Sequence, residues 1–265
     1  MRLVVLISCM NQSDFGIVTR SKLQTDAVII NQCDKDCVDE LDFVNSKNEK
    51  CHVKMISTTE RGLSRSRNLA IENSWGDICL ICDDDEVLSE GYEDTILSAY
   101  NTYKDYECIT FHVVRKDRPF SSKQIGNVRH VGFKGIMQTS SVQITFRRET
   151  IVGENIKFDV KLGSGTGNGS GEENKFLLDI RRKSIKILYY PQTIATVLPG
   201  ESLWFKGFND VYMRNLGWSS RRSLGSILGF IYISYFGLKH INLYRSEISP
   251  LCAFSNLFKG YFEQR

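Results

Sequence analysis

Three groups of side chains in this 265-residue chain have the chemistry to act on a charged substrate. The first is Asp83-Asp84-Asp85, followed by Glu86 and preceded by the uncharged run Ile78-Cys79-Leu80-Ile81-Cys82. Three adjacent carboxylates repel one another, so a positive partner must offset them, and hard oxygen donors suit Mg²⁺ or Mn²⁺. An acidic turn that only favours the dipole of the next helix has the same composition. The second group is Arg61, Arg65 and Arg67, with Gly62 permitting a turn and Ser64 as N-cap of a helix to about Ser74. Cations at a helix start oppose the macrodipole unless an anion occupies the site. For Arg65 a solvated basic face is the favoured reading. The third group is Glu172-Glu173, at the end of the glycine-rich stretch 162–171. Glu173, Phe176, Leu177 and Ile180 share one helical stripe, which aims Glu173 inward. Burial raises a carboxyl pKa and suits it to general-base work. Glu172 beside it reads as a partner of the helix dipole. The glycine stretch lacks the spacing of a P-loop or a dinucleotide fingerprint, so it is either mobile or closely approached by a ligand.

These groups need elements to carry them. An apolar run of the length of 78–82 reads as a strand buried on both faces. Ligands in such sheets bind just beyond the carboxyl ends of the strands. Leu3 to Ile7 is a first strand, ending at Ser8-Cys9-Met10-Asn11. After a polar, basic stretch that reads as a short helix, Asp26 to Ile30 is a second, ending at Asn31-Gln32-Cys33-Asp34. Val53 to Ser57 is a third. Strand, helix and strand in alternation specify a parallel sheet. Glu107 to Val114 and Val142 to Arg147 continue the pattern. The basic segment from Arg115 to Gln138 reads as an excursion bordering an acceptor, with His112 and His130 structural or solvent-facing.

With 42% hydrophobic and 25% charged residues, the chain supports one large α/β domain with or without an extension. A net charge of +3 is too mild to imply a nucleic-acid partner. Cys9, Cys79 and Cys82 fall in apolar strands, and Cys33, Cys37 and Cys51 match no zinc spacing with the four scattered histidines. A reducing cytoplasm accounts for the eight cysteines, and the short apolar run after Met1-Arg2 does not read as a signal peptide. Near the end, Leu224, Ile227, Leu228, Ile231, Tyr235 and Leu238 form a helical stripe, with Phe230, Ile233 and Phe236 on the other faces. The uncharged stretch 224–238 is shorter than the ~20 residues that span a bilayer. Arg221-Arg222 and Lys239-His240 flank it, as in a helix lying on an anionic interface; a buried packing helix is the alternative. Phe254, Leu257, Phe258, Tyr261 and Phe262 offer a second apolar face.

Gly62-Leu63-Ser64-Arg65-Ser66-Arg67-Asn68-Leu69-Ala70-Ile71, then Trp75-Gly76-Asp77, then Ile81-Cys82-Asp83-Asp84-Asp85 resembles, in order and spacing, the signature of the A-type (GT-A) inverting nucleotide-sugar glycosyltransferases of family 2. The likeness runs from about Leu3 to Lys183. It implies an α/β fold: a single Rossmann-like GT-A domain with a mostly parallel central sheet over 1–200 and a helical C-terminal extension over 201–265. The donor half would be about 1–100 and the acceptor half about 101–200. It implies that Ser8 and Met10 lie beside the nucleotide and that Asp34 stands at the strand tip that reads the base. There Asn31-Gln32 replace the family's paired acids. Gly62, Arg67, Asn68, Asp83 and Asp84 are implied to bind the nucleotide sugar, with Asp83 and Asp85 as ligands of Mn²⁺ or Mg²⁺. Glu172 is implied on the acceptor side, and Glu173 stands where the family has its catalytic aspartate. The implied reaction is inverting transfer from a nucleotide-diphosphate sugar to a saccharide or lipid-linked saccharide, as in bacterial surface polysaccharide synthesis. No nucleic-acid partner is implied, and the place is the cytoplasm, at the inner membrane face if 221–262 touch lipid. A nucleotidyltransferase is the rival, though Met10-Asn11-Gln12-Ser13-Asp14 supplies no glycine-rich phosphate loop. A non-catalytic binding protein would use the same residues structurally, and a retaining transferase would not need Glu173 as base.

Overall fold

The computed structural model describes residues 1–116, 126–199 and 207–265. The strands are β1 (Leu3–Met10), β2 (Asp26–Gln32), β3 (Cys37–Val44), β4 (Lys50–Thr58), β5 (Ile78–Asp83), β6 (Glu86–Leu88), β7 (Cys108–Arg115), β8 (Arg129–His130), β9 (Ile144–Arg147) and β10 (Ile187–Val197). The helices are α1 (Gly16–Arg20), α2 (Leu63–Asn73), α3 (Tyr92–Thr102), α4 (Phe133–Ile136), α5 (Arg148–Gly153), α6 (Glu172–Arg182), α7 (Asp210–Lys239), α8 (Ile241–Tyr244) and α9 (Pro250–Phe262). All strands join one sheet in the order β3-β4-β2-β1-β5-β9-β7-β10-β6, with β8 beside β10.

The block β4-β2-β1-β5 is parallel throughout. β2, β1 and β5 are apolar on both faces over most of their length because both faces are covered, whereas β4 alternates buried and part-exposed residues. In β1, Leu3, Val5 and Ile7 enter one core, while Val4 and Leu6 enter the other. The chain leaves β1 for β2 on one side and β5 lies on the other, so β1 marks the switch point where a crevice opens at the carboxyl ends. Beyond β5 the sheet turns mixed: β9 runs antiparallel to both β5 and β7, and β7 and β10 are parallel. The fold is therefore the Rossmann-like α/β domain with a C-terminal helical extension that the motifs imply.

Several elements differ from the sequence reading. The strand at Val53–Ser57 is longer, Lys50–Thr58, and is fourth in order. Ahead of it β3 forms an antiparallel hairpin partner that was not anticipated. It is an edge strand with mostly exposed residues, so its sequence carries no apolar run. Helix α2 begins at Leu63 behind Gly62, whose φ of 124° suits only glycine. Ser64 is not the N-cap: its buried hydroxyl donates instead to the Leu162 carbonyl at 2.6 Å. The strand expected from Val142 starts at Ile144, after a 3-10 turn over Ser141–Gln143. Of the excursion 115–138, residues 117–125 lie outside the described residues; the remainder includes β8 and α4.

At the C-terminus α7 runs for 30 residues, broken at Gly225 (φ 79°), and α9 packs along it. With Tyr244 of α8 the two share a small core of Met213, Ile233, Ala253, Leu257 and Tyr261. Of the expected apolar stripe only Leu224 is buried, whereas Ile227, Leu228, Ile231, Tyr235 and Leu238 remain exposed; Ile233, from another face, packs inward. Among the described residues no helix is long and apolar enough to cross a membrane.

Candidate active site

The carboxylate turn sits where β5 ends. Asp83 is the last residue of β5 and pairs in register with Ser8 of β1. Its backbone N–H donates to the Glu86 carboxylate at 2.9 Å, which closes the turn Asp83-Asp84-Asp85. Glu86 is itself buried. Burial first, and the charge of Asp83 second, push its carboxyl well above the ordinary range. Asp84 and Asp85 are exposed as residues, yet both hold their protons more tightly than usual. For Asp85 the value reaches about 6, through partial burial and then repulsion by Asp83 and Asp84. For Asp84 the causes are partial burial and then the charge of Asp83, opposed by backbone hydrogen bonds, one of them involving Met10.

Arg67 projects from α2 into this cluster and is 1% exposed. One guanidinium nitrogen donates to Glu172 at 2.9 Å and the other to Asp83 at 3.0 Å. The plane lies 5.4 Å from the centre of the Phe158 ring, which stacks at 4.2 Å on Phe176 of α6. Burial opposes its charge, but Asp83, Glu172 and Glu173 together outweigh that and hold Arg67 cationic. Arg67 was expected to face the nucleotide; here carboxylates occupy its fork.

Glu172 and Glu173 open α6 behind Gly171. Glu172 is the more buried residue and does more than complement the dipole, because it is the Arg67 ion-pair partner. A second bond, from the Gly171 N–H at 3.1 Å, fixes its carboxylate. Glu173 does aim inward: its Oε2 is inaccessible and has no hydrogen-bond partner among the described residues. Burial first, then the Glu172 charge, push its carboxyl up to about 8. The glycine stretch is folded onto this corner. A Cβ at Gly163 would stand 3.1 Å from the Ser64 hydroxyl and 3.2 Å from the Glu172 carboxyl carbon, so the close approach comes from the chain itself.

The remaining anticipated residues are dispersed. The Ser8 hydroxyl is buried and accepts from Ser66 at 2.8 Å, tying β1 to α2. Met10 is half exposed at the tip of β1. Asp34 is exposed at the tip of β2 and accepts from Arg61 at 2.7 Å. Gly62 donates to Gln32 at 2.7 Å, so one of the residues replacing the family's acids braces the start of α2. Asn31 bonds Ser57 and Gln12, joining the strand tips. Asn68 clamps the Phe158 backbone with both ends of its amide at 2.8 and 2.9 Å. Arg65 forms an exposed pair with Glu60, as its solvated reading requires. Glu86, Gln32 and Phe158 were not anticipated. For Glu86 the signal was present, as a fourth acid following three.

Among the described residues no three His, Cys, Asp or Glu side chains converge into a ready metal cluster. The Asp83-Asp85 turn nonetheless offers only oxygen donors, with excess negative charge that raises proton affinity. That donor set fits a hard divalent cation of the kind that takes one or two carboxylates and completes its shell with phosphate and water.

A family model described as glycosyl transferase family 2 matches residues 8–162. No curated protein matches the chain. Among solved structures, S. aureus TarS 1–349 is similar with a TM-score of 0.64 at 12% identity, over 99% of this chain and 81% of that one. The same TarS fragment in complex with UDP aligns with a TM-score of 0.62 at 13% identity, over 93% and 74%. Its complex with UDP-GlcNAc gives 0.64 at 15%, over 93% and 74%.

Proposed function

Because the chain belongs to glycosyl transferase family 2, we propose that it moves a sugar from a uridine-diphosphate sugar to an acceptor hydroxyl with inversion. Family membership supports the nucleotide-sugar donor, and the UDP and UDP-GlcNAc complexes of TarS support uridine. The single observation that carries the reading is the joining of the Asp83 turn and the Glu172-Glu173 pair through the buried Arg67 guanidinium at the carboxyl end of β5. Donor-side acids and a base of raised proton affinity then lie together at the switch point of the sheet.

In this reading Asp83 and Asp85 would hold Mn²⁺ or Mg²⁺, which would supply positive charge against the diphosphate. Ser8, Met10, Asp34 and Gly62 line the nucleotide end. Asp84 faces the donor from the same turn. Glu173 takes the proton of the acceptor hydroxyl as that oxygen attacks the anomeric carbon, and the diphosphate leaves from the opposite face in a single displacement. Glu172 borders the acceptor. Residues 1–200 perform transfer, and the C-terminal extension 201–265 touches a membrane through helix α7. Acceptors are saccharides or lipid-linked saccharides of surface polysaccharide synthesis at the cytoplasmic face.

The test is thermal shift with uridine, guanosine and thymidine diphosphates, each with and without Mn²⁺. A ligand at tens of its dissociation constant stabilises by roughly 2 kcal/mol. Stabilisation by UDP that needs metal and disappears in Asp85→Ala is expected. Indifference to every nucleotide would sink the donor site.

A further inference from the structure

Arg67 is the one charged group seen to bridge the two halves of the candidate site among the described residues. Asp83 lies 16 residues from it and Glu172 lies 105 away, yet one fork reaches both. Both remaining degrees of freedom are closed. Phe158 covers the guanidinium face, and Phe158 stacks on Phe176, four residues beyond Glu172 on the same helix. The Asn68 amide clamps the Phe158 backbone from α2, one residue after Arg67. Moving Arg67 therefore moves α6, and moving α6 moves Asp83.

With both terminal nitrogens on carboxylates and 1% exposure, Arg67 presents no solvent-accessible edge to a phosphate; its Nε is buried and has no hydrogen-bond partner among the described residues. Planar, bidentate geometry is also what distinguishes arginine from lysine, whose point charge cannot hold two acids at a fixed separation. Resting on the transferase reading above, we propose that Arg67 is a positioning residue that clamps donor-side Asp83 and acceptor-side Glu172 into one unit and thereby holds Glu173 at its working place. It does not touch the nucleotide.

The charged groups acting on Glu173 are Glu172 and Arg67, so variants of the two push its titration in opposite directions. Arg67→Lys weakens the neutralisation of Glu172, and the Glu173 midpoint rises. Glu172→Gln removes the neighbouring negative charge, and the midpoint falls. Both loosen the clamp and lower kcat.

Three measurements on the whole chain test this. Glutamate carboxyl-carbon NMR, assigned with Glu173→Gln, reads the midpoint without any substrate. UDP titration calorimetry reads nucleotide affinity, and steady-state transfer separates kcat from KM. Expected are kcat losses of tenfold or more in each variant, UDP affinity within threefold of wild type, and midpoints displaced upward in Arg67→Lys and downward in Glu172→Gln. A tenfold loss of UDP affinity in Arg67→Lys makes it a nucleotide ligand and overturns the proposal. Unmoved midpoints, or unchanged kcat, overturn it as well. If Arg67→Lys does not fold, Glu172→Gln decides alone by the same criteria. A wild-type protein that transfers nothing while the midpoints shift as stated contradicts the transferase reading and leaves the clamp standing.

Discussion

Glu173 stands at the N-terminus of a helix, where a carboxylate should be comfortable, yet its proton affinity is raised. Two costs outweigh the dipole: Oε2 is shut away from solvent, and the Glu172 carboxylate is next to it. With a value of about 8, most molecules at neutral pH carry the proton that a general base must first lose. Transfer should therefore climb by about tenfold per pH unit below 8 and flatten above it. Glu173→Gln should lose roughly 10²-fold or more in kcat while still binding UDP. A pH–rate profile flat between 6 and 9 would contradict this, as would turnover in the variant near that of wild type. Stability carries the same sign. The folded value lies above the ordinary 4.5, so the contribution of Glu173 is whole below that pH and drains away as pH rises toward 8. Wild type should lose melting temperature over that window relative to Glu173→Gln, and parallel curves would refute the assignment.

Helices α7 and α9 meet through bare backbone. A Cβ on Gly260 would sit 1.8 Å from the Arg214 carbonyl oxygen, and one on Gly217 would sit 2.0 Å from that of Leu257. Neither neighbour can swing aside, since both are helical main chain. Gly260→Ala should therefore destabilise by about 1–3 kcal/mol, the usual cost of overpacking, and spread the helices while UDP binding survives. Chemical denaturation reads this, and an unchanged midpoint would mean the helices are not so closely packed. Neither glycine announces its role in sequence, because the partner lies 40 or more residues away. The same logic separates what was legible from what was not. β1, β2 and β5 were readable since burial on both faces forces an unbroken aliphatic run. β3 was not, because an edge strand needs no such run. β10 was hidden by Pro191 and Gln192, where its register shifts against β7. At the site, Asp83, Asp85 and Glu173 stood out as carboxylates at strand or loop ends. That Arg67 belongs to Glu172 could come only from the fold, which joins residues 105 apart.

The charge of the molecule is unevenly placed. Residues 207–265 hold seven Lys and Arg against three Asp and Glu, a net +4, which leaves −1 for the rest of a chain of net +3. This basic unit also exposes apolar surface that its own core does not use. On α7, Gly229, Ile233 and Gly237 turn inward, while Ile227 (77% exposed), Ile231 (57%) and Leu238 (66%) turn outward along one arc with Leu228 and Tyr235. Lys239 ends that arc, and Arg245 follows in the next turn, both exposed. A helix with this composition suits the boundary of an anionic bilayer, where side chains insert and cations meet headgroups. Full-length protein should co-sediment with vesicles containing phosphatidylglycerol more than with phosphatidylcholine alone, and salt should weaken the difference. Each inserted aliphatic side chain contributes about 1.5–3 kcal/mol when fully buried. The pair Ile231→Asp and Leu238→Asp should therefore lower partitioning by at least about tenfold. Both positions are exposed, so the melting temperature and UDP affinity should hold. Equal sedimentation of variant and wild type would refute the contact. A wild type that ignores vesicles but dimerises through these residues would assign the face to a second copy, and lipid-linked acceptors would then have to reach the site without help from this surface.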